Sequence, residues 1–99
     1  MIKIQNYRIE MTNIQTWEVP TVDGMTFRQQ VLGIDVIHGA PFAYILVDDE
    51  KDKAIRNIIG LNGNRDDAGS VSPNNYMGSA QFLGGLNILH LFWDGNEPQ

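Results

Sequence analysis

The stretch "VLGIDVIHGAPFAYILV" (residues 31–47) decides how this chain folds. An apolar run, VLGIDVI, leads through Gly39-Ala40 into a second, FAYILV. That glycine predicts a two-residue hairpin loop, because glycine at the first loop position suits a type II′ turn. FAYILV is apolar on both faces, as expected of a central strand or one covered on both sides.

Toward the N-terminus the strand pattern continues. In "YRIEM", Tyr7, Ile9 and Met11 share one face and Arg8 and Glu10 the other, a period of two. Ile2 and Ile4 share a strand phase that slips near Gln5-Asn6, which predicts a bulge or a late strand start. In "TWEV", Trp17 and Val19 share a face, and Asp23-Gly24 signals a turn.

Toward the C-terminus, "DDEKDK" reads as a solvated, charged turn. "AIRNIIGL" (54–61) fits a helical stripe of Ile55, Ile58 and Ile59 or a strand face of Ile55, Ile59 and Leu61. Its isoleucines and the following glycine favour a strand. Asn74-Asn75 closes a long loop, and Gly84-Gly85 joins "YMGSAQFL" to "LNILHLFW" as a hairpin. The last run is apolar on both faces, with Leu86, Ile88 and Phe92 on one and Leu89, Leu91 and Trp93 on the other. The tail 94–99 is expected to fray. The sum is one all-β domain over residues 1–99, mainly antiparallel. It has about six or seven short strands in a sandwich or small barrel, and at most one short helix.

Composition narrows the function. Ninety-nine residues make one core, and the hydrophobic fraction of 42% against 19% charged is that of a globular chain. The apolar strands exceed what one small sheet buries, so a homo-oligomer is expected. A net charge of −5 opposes nonspecific binding to polymeric nucleic acid, which needs a basic field. A small anion held by an arginine and backbone N–H groups remains compatible. There is no cysteine. The start "MIKIQNYRIEM" is polar too early for a signal peptide, and no apolar run is long enough to span a membrane. A cytoplasmic protein is expected.

Catalytic and metal chemistry find little footing. His38 and His90 lack HxH or HxxxH spacing, no serine sits in a nucleophile elbow, and Asp48-Asp49-Glu50 lacks the rest of a calcium loop. No enzyme, metal or cofactor is predicted. Binding groups are more plentiful. Tyr7, Trp17, Tyr76 and Trp93 are candidates to stack on a base, and Arg8, Arg28, Arg56 and Arg65 to meet phosphate. The two tryptophans share strand faces with aliphatic residues and read as core or interface. Arg65 lies in "GLNGNRDDAGS" (60–70), where successive N–H groups can form an anion-binding concavity.

The segments "YRIEMTNIQTWEVP", "VLGIDVIHGAPFAYILVDDE", "RNIIGLNGNR" and "YMGSAQFLGGLNILHLFWDG" together resemble a family of small, uncharacterised proteins of tailed phages and prophages. They match its opening strand pair ending in proline, its Gly-x-Pro hairpin, its Gly-x-x-Gly loop and its closing His-containing hairpin. Asn64-Arg65 depart from the histidine-type residue of that loop, which is also longer before Tyr76. The resemblance implies an oligomeric β protein made in the cytoplasm of an infected bacterium. Similar small phage proteins act as sponges for the cyclic nucleotides of host defences such as CBASS. The function this implies is sequestration of a cyclic dinucleotide, best guessed as 3′3′-cGAMP, without cleavage. Asn62, Gly63, Asn64 and Arg65 would contact phosphate or base edges, Tyr76 or Tyr7 would stack, and His38 and His90 stand second. The rival reading is a protein-interaction or virion accessory module that meets a protein partner through apolar strand faces; a small hydrolase is a third.

Overall fold

A computed structural model describes residues 1–63, 66, 69, 71–85 and 87–96. Among them the chain forms seven strands: β1 (Ile2–Arg8), β2 (Ile14–Pro20), β3 (Val31–Ile37), β4 (Ala40–Asp48), β5 (Lys53–Asn62), β6 (Tyr76–Phe82) and β7 (Asn87–Trp93). One short helix, α1 (Phe27–Gln30), precedes β3. All strand pairs are antiparallel, in a three-stranded sheet of order β1-β4-β3 and a four-stranded sheet of order β2-β5-β7-β6. The all-β expectation with at most one short helix is met.

The β3–β4 hairpin forms where the sequence places it, with a different turn. Ile37 pairs with Ala40, so the loop is His38-Gly39 rather than Gly39-Ala40. Both residues have positive φ, 50° and 81°, the type I′ geometry. That turn matches the right-handed twist of the strands it joins, and it leaves Ala40 in the ladder. Along β4, Ala43, Ile45 and Val47 are fully buried between the sheets, while Tyr44 and Leu46 are half-covered on the outer face.

The start of the chain corrects a second expectation. β1 runs from Ile2 in unbroken register with β4, with neither a bulge nor a late start at Gln5-Asn6. The change of phase is a change of face. Tyr7 and the buried Ile9 point inward, whereas Ile2 and Ile4 point outward and stay 56% and 59% exposed. Met11, expected on the inner face, lies beyond the strand and is exposed.

The segment 54–61 is a strand, and its burial has the opposite parity to the face read from its isoleucines. Arg56, Ile58 and Gly60 point inward, and Ile55 is exposed. Arg56 is 2% exposed. Its guanidinium lies 4.9 Å from the centre of the Phe27 ring, and Nη1 donates to the Asn96 carbonyl at 3.1 Å. It is therefore a core residue and not a phosphate ligand. The start of the tail makes hydrogen bonds with β5. Asp94 accepts from Asn57 Nδ2 at 2.9 Å and from the Asn96 N–H at 2.9 Å. Residues 97–99 lie outside the described residues, as does Leu86.

Two devices join the sheets. Thr26 and Gln29 form a reciprocal capping box that starts α1, a Thr-x-x-Gln signature readable in the sequence. That one turn delivers Gln30 to the interior, where Nε2 donates to Pro20 O of β2 and Leu46 O of β4, both at 2.9 Å. At the opposite side, β-bulges at Val31/Gly33 and Tyr76/Gly78 bend β3 and β6 toward each other. Gly78 (φ 135°) sits where a Cβ would lie 3.1 Å from Ile34 Cδ1.

Candidate functional site

The outer face of the four-stranded sheet collects Tyr76, His90 and Phe92 on neighbouring strands. Cross-strand pairs set Tyr76 against Phe92 and Leu61 against His90. The Tyr76 and Phe92 rings are 5.1 Å apart and tilted by 57°. The Tyr76 hydroxyl and His90 Nδ1 share a hydrogen bond of 3.0 Å. Gly63 follows β5 onto the other side of the imidazole, where a Cβ would stand 3.2 Å from His90 Nε2. In the tautomer with Nδ1 accepting from Tyr76, Nε2 carries a proton beside Gly63. Val71 and Pro73 border Tyr76 and Phe92 around a mostly apolar hollow of about 270 Å³.

On the inward parity of the same strand end, Asn62 enters a separate cleft of about 350 Å³ bordered by Met11, Asn13, Asp66 and Leu89. Asp66 organises this corner. Its Oδ2 accepts from the Asn62 N–H at 2.8 Å and from Asn13 Nδ2 at 3.0 Å, and its own N–H donates to Asn62 O at 3.0 Å. Asn13 Nδ2 also donates to Gly60 O at 2.8 Å. The start of the loop is thus pinned to the β1–β2 connection by a carboxylate and an amide. Neither Asp66 nor Asn13 stood among the expected site residues. The available signal was an Asp four positions after Asn62, the reach of a single turn.

The expected ligand set therefore divides. Gly63, Tyr76 and His90 meet at one place, and Asn62 borders the neighbouring cleft. Asn64 and Arg65 lie outside the described residues. Tyr7 is elsewhere: it stacks on Trp17 (centroids 5.4 Å, 24° between planes), and its hydroxyl donates to Glu18 O at 2.8 Å. Burial and then the Glu18 charge push its pKa above 10.0, which keeps the hydroxyl a donor. That ring is committed to the sandwich margin and is not a free stacking platform. His38 sits in the β3–β4 turn, whose Gly39 borders the same hollow as Phe82 and Leu83, at the opposite end of β6 from Tyr76. Trp17 and Trp93 are each 6% exposed and belong to the core.

No group of three or more His, Cys, Asp or Glu is placed to hold a metal ion among the described residues. No helix among them is long and apolar enough to cross a membrane. No protein-family model, curated protein sequence or solved structure matches the chain.

Proposed function

We propose that this chain is a phage-encoded sequestering protein that binds a cyclic dinucleotide on the outer face of its four-stranded sheet and releases it intact. The observation that carries the reading is the meeting of Gly63, Tyr76 and His90 from three separate segments. An aromatic surface suits a purine face, an imidazole N–H suits a phosphate or base edge, and a glycine permits close approach. Sequestration needs no nucleophile, only retention of the ligand, and the protein would act in the cytoplasm of the infected bacterium. The resemblance of the closing hairpin to small phage proteins supports the same direction.

Calorimetry and thermal shift with 3′3′-cGAMP and related cyclic di- and trinucleotides test the proposal, with chromatography of the recovered ligand. Binding below micromolar with intact ligand is the expected result. Tyr76→Ala should weaken it by about 1–3 kcal/mol, the range for loss of one stacking platform. Tyr76→Phe keeps the ring and should cost less. Arg65→Ala tests the loop. Absence of a shift with every nucleotide would remove the reading, and a cleaved product would turn it toward hydrolysis. The second reading, a protein-interaction module, draws on exposed apolar residues of the outer faces, among them Ile2, Ile4, Ile14 and Ile55.

A further inference from the structure

We propose that β1 is a self-association edge, pairing antiparallel with β1 of a second copy about a twofold axis at Gln5. The inference is independent of the ligand reading and rests on the backbone. Asp49 N–H donates to Met1 O at 3.1 Å, and Ile9 N–H to Pro41 O at 3.0 Å. In an antiparallel ladder hydrogen-bonded and non-bonded pairs alternate. The odd residues Lys3, Gln5 and Tyr7 therefore turn their backbone groups to β4. The groups of Ile2, Ile4, Asn6 and Arg8 face the open edge, because β1 has β4 as its one sheet neighbour.

The other sheet edges are managed. The Gly60 N–H to Asn13 O bond sets the phase of β2, so Ile14, Thr16, Glu18 and Pro20 face outward there. On that edge the Glu18 carbonyl is taken by the Tyr7 hydroxyl, and Pro20 has no N–H to offer. β3 and β6 bend toward each other at Ile34 and Gly78. Among the described strands, β1 is the edge whose outward N–H and C=O groups carry no comparable block, its Lys3 being drawn to Asp49 at 3.6 Å, and free edges are templates for another strand.

Register and charge then select the occupant. A twofold at Gln5 sets Ile2 opposite Arg8 and Ile4 opposite Asn6 of the second copy, using every outward donor and acceptor of the strand. The same register brings Arg8 beside Ile2 of the second copy, whose cross-strand neighbour on the same outer face is Asp48. Arg8 has an exposed side chain and, among the described residues, one ion pair, to Glu10 at 4.0 Å. At the other end of the edge Asp48, Asp49 and Glu50 outnumber the cations they hold, the Met1 ammonium and Lys3, so a carboxylate excess there faces Arg8, the arrangement that antiparallel self-pairing makes complementary. The result is a six-stranded sheet of order β3-β4-β1-β1-β4-β3.

Light scattering coupled to size exclusion gives the test, with circular dichroism as the folding control. The chain should run at twice its 11.1 kDa mass. Ile4→Pro removes an outward N–H, leaves the β4 ladder intact, and should give single-chain mass with an unchanged spectrum. Arg8→Glu and Asp48→Lys should each raise the dissociation constant about tenfold or more through like-charge contacts at both ends. An equimolar mixture of those two variants should restore the dimer, since both contacts between the copies become attractive. A monomeric parent chain, whose edge then awaits a different protein, overturns the proposal. So does a dimer indifferent to Ile4→Pro, or a mixture that stays dissociated.

Discussion

At Gly60, a Cβ would stand 2.6 Å from Thr12 O and 2.7 Å from Leu89 Cδ2. The residue is buried, and its N–H donates to Asn13 O at 2.8 Å. Glycine is thus required by close approach between β5, the β1–β2 connection and β7. Gly60→Ala should cost about 1–3 kcal/mol, the usual range for overpacking, as read from urea denaturation. A change within a few tenths of a kcal/mol would mean that the corner has room. The sequence marks Gly60 only as the glycine after an apolar run. Its neighbours Thr12 and Leu89 are remote in the chain, so the steric demand is invisible there. The same holds for the site: Tyr76 and His90 could be singled out by residue type, but the 3.0 Å contact between them follows from β6–β7 register. Asp66 carries no such mark in the sequence, because a loop aspartate looks the same whether it hangs in solvent or holds two donors.

Beside the shared apolar core, a polar tie joins the layers. Gln30 reaches both sheets from a single turn of helix, and Gln30→Met keeps much of its volume while orphaning the carbonyls of Pro20 and Leu46. A loss of about 2–3 kcal/mol is expected in denaturant titration, since buried acceptors left without a donor bear most of their desolvation cost. An unchanged midpoint would show that those carbonyls find other donors. The end of β7 is held electrostatically. Burial alone would raise the Asp94 pKa. The Asn96 N–H, the Asn57 and Asn96 side-chain amides and the Arg56 charge outweigh it and hold the pKa below 3.8. A carboxyl depressed in the folded state adds stability above its unfolded pKa, and that stability is lost as pH falls through the folded value. The melting temperature should therefore fall more steeply on acidification through 3.8 and below in the parent chain than in Asp94→Asn. Parallel curves for the two proteins would contradict this. The hairpins were legible at this scale because glycines and period-two runs are local signals. The type I′ turn and the outward phase of Ile2 and Ile4 depend on which residue pairs across the ladder.

For the molecule as a whole, the shared core and the Gln30 stitch predict one cooperative transition. Trp17 and Trp93 both report on the four-stranded sheet, whereas far-ultraviolet circular dichroism reports on both sheets. The two signals should coincide during urea unfolding. An earlier loss of dichroism would separate the three-stranded sheet as a unit of its own. Strand content, hairpin positions and the all-β class were determined by the sequence itself, because alternation and turn chemistry act over a few neighbouring residues. Which face of each strand points inward was decided only by tertiary structure. β4 and β7 are apolar on both sides, and the apolar outer positions of β5 mimic a core face. Stacking of one sheet on the other breaks that ambiguity, sending Ile58 and Arg56 inside and leaving Ile55 outside. The meeting of Gly63, Tyr76 and His90, and the open edge of β1, follow from the same stacking and register.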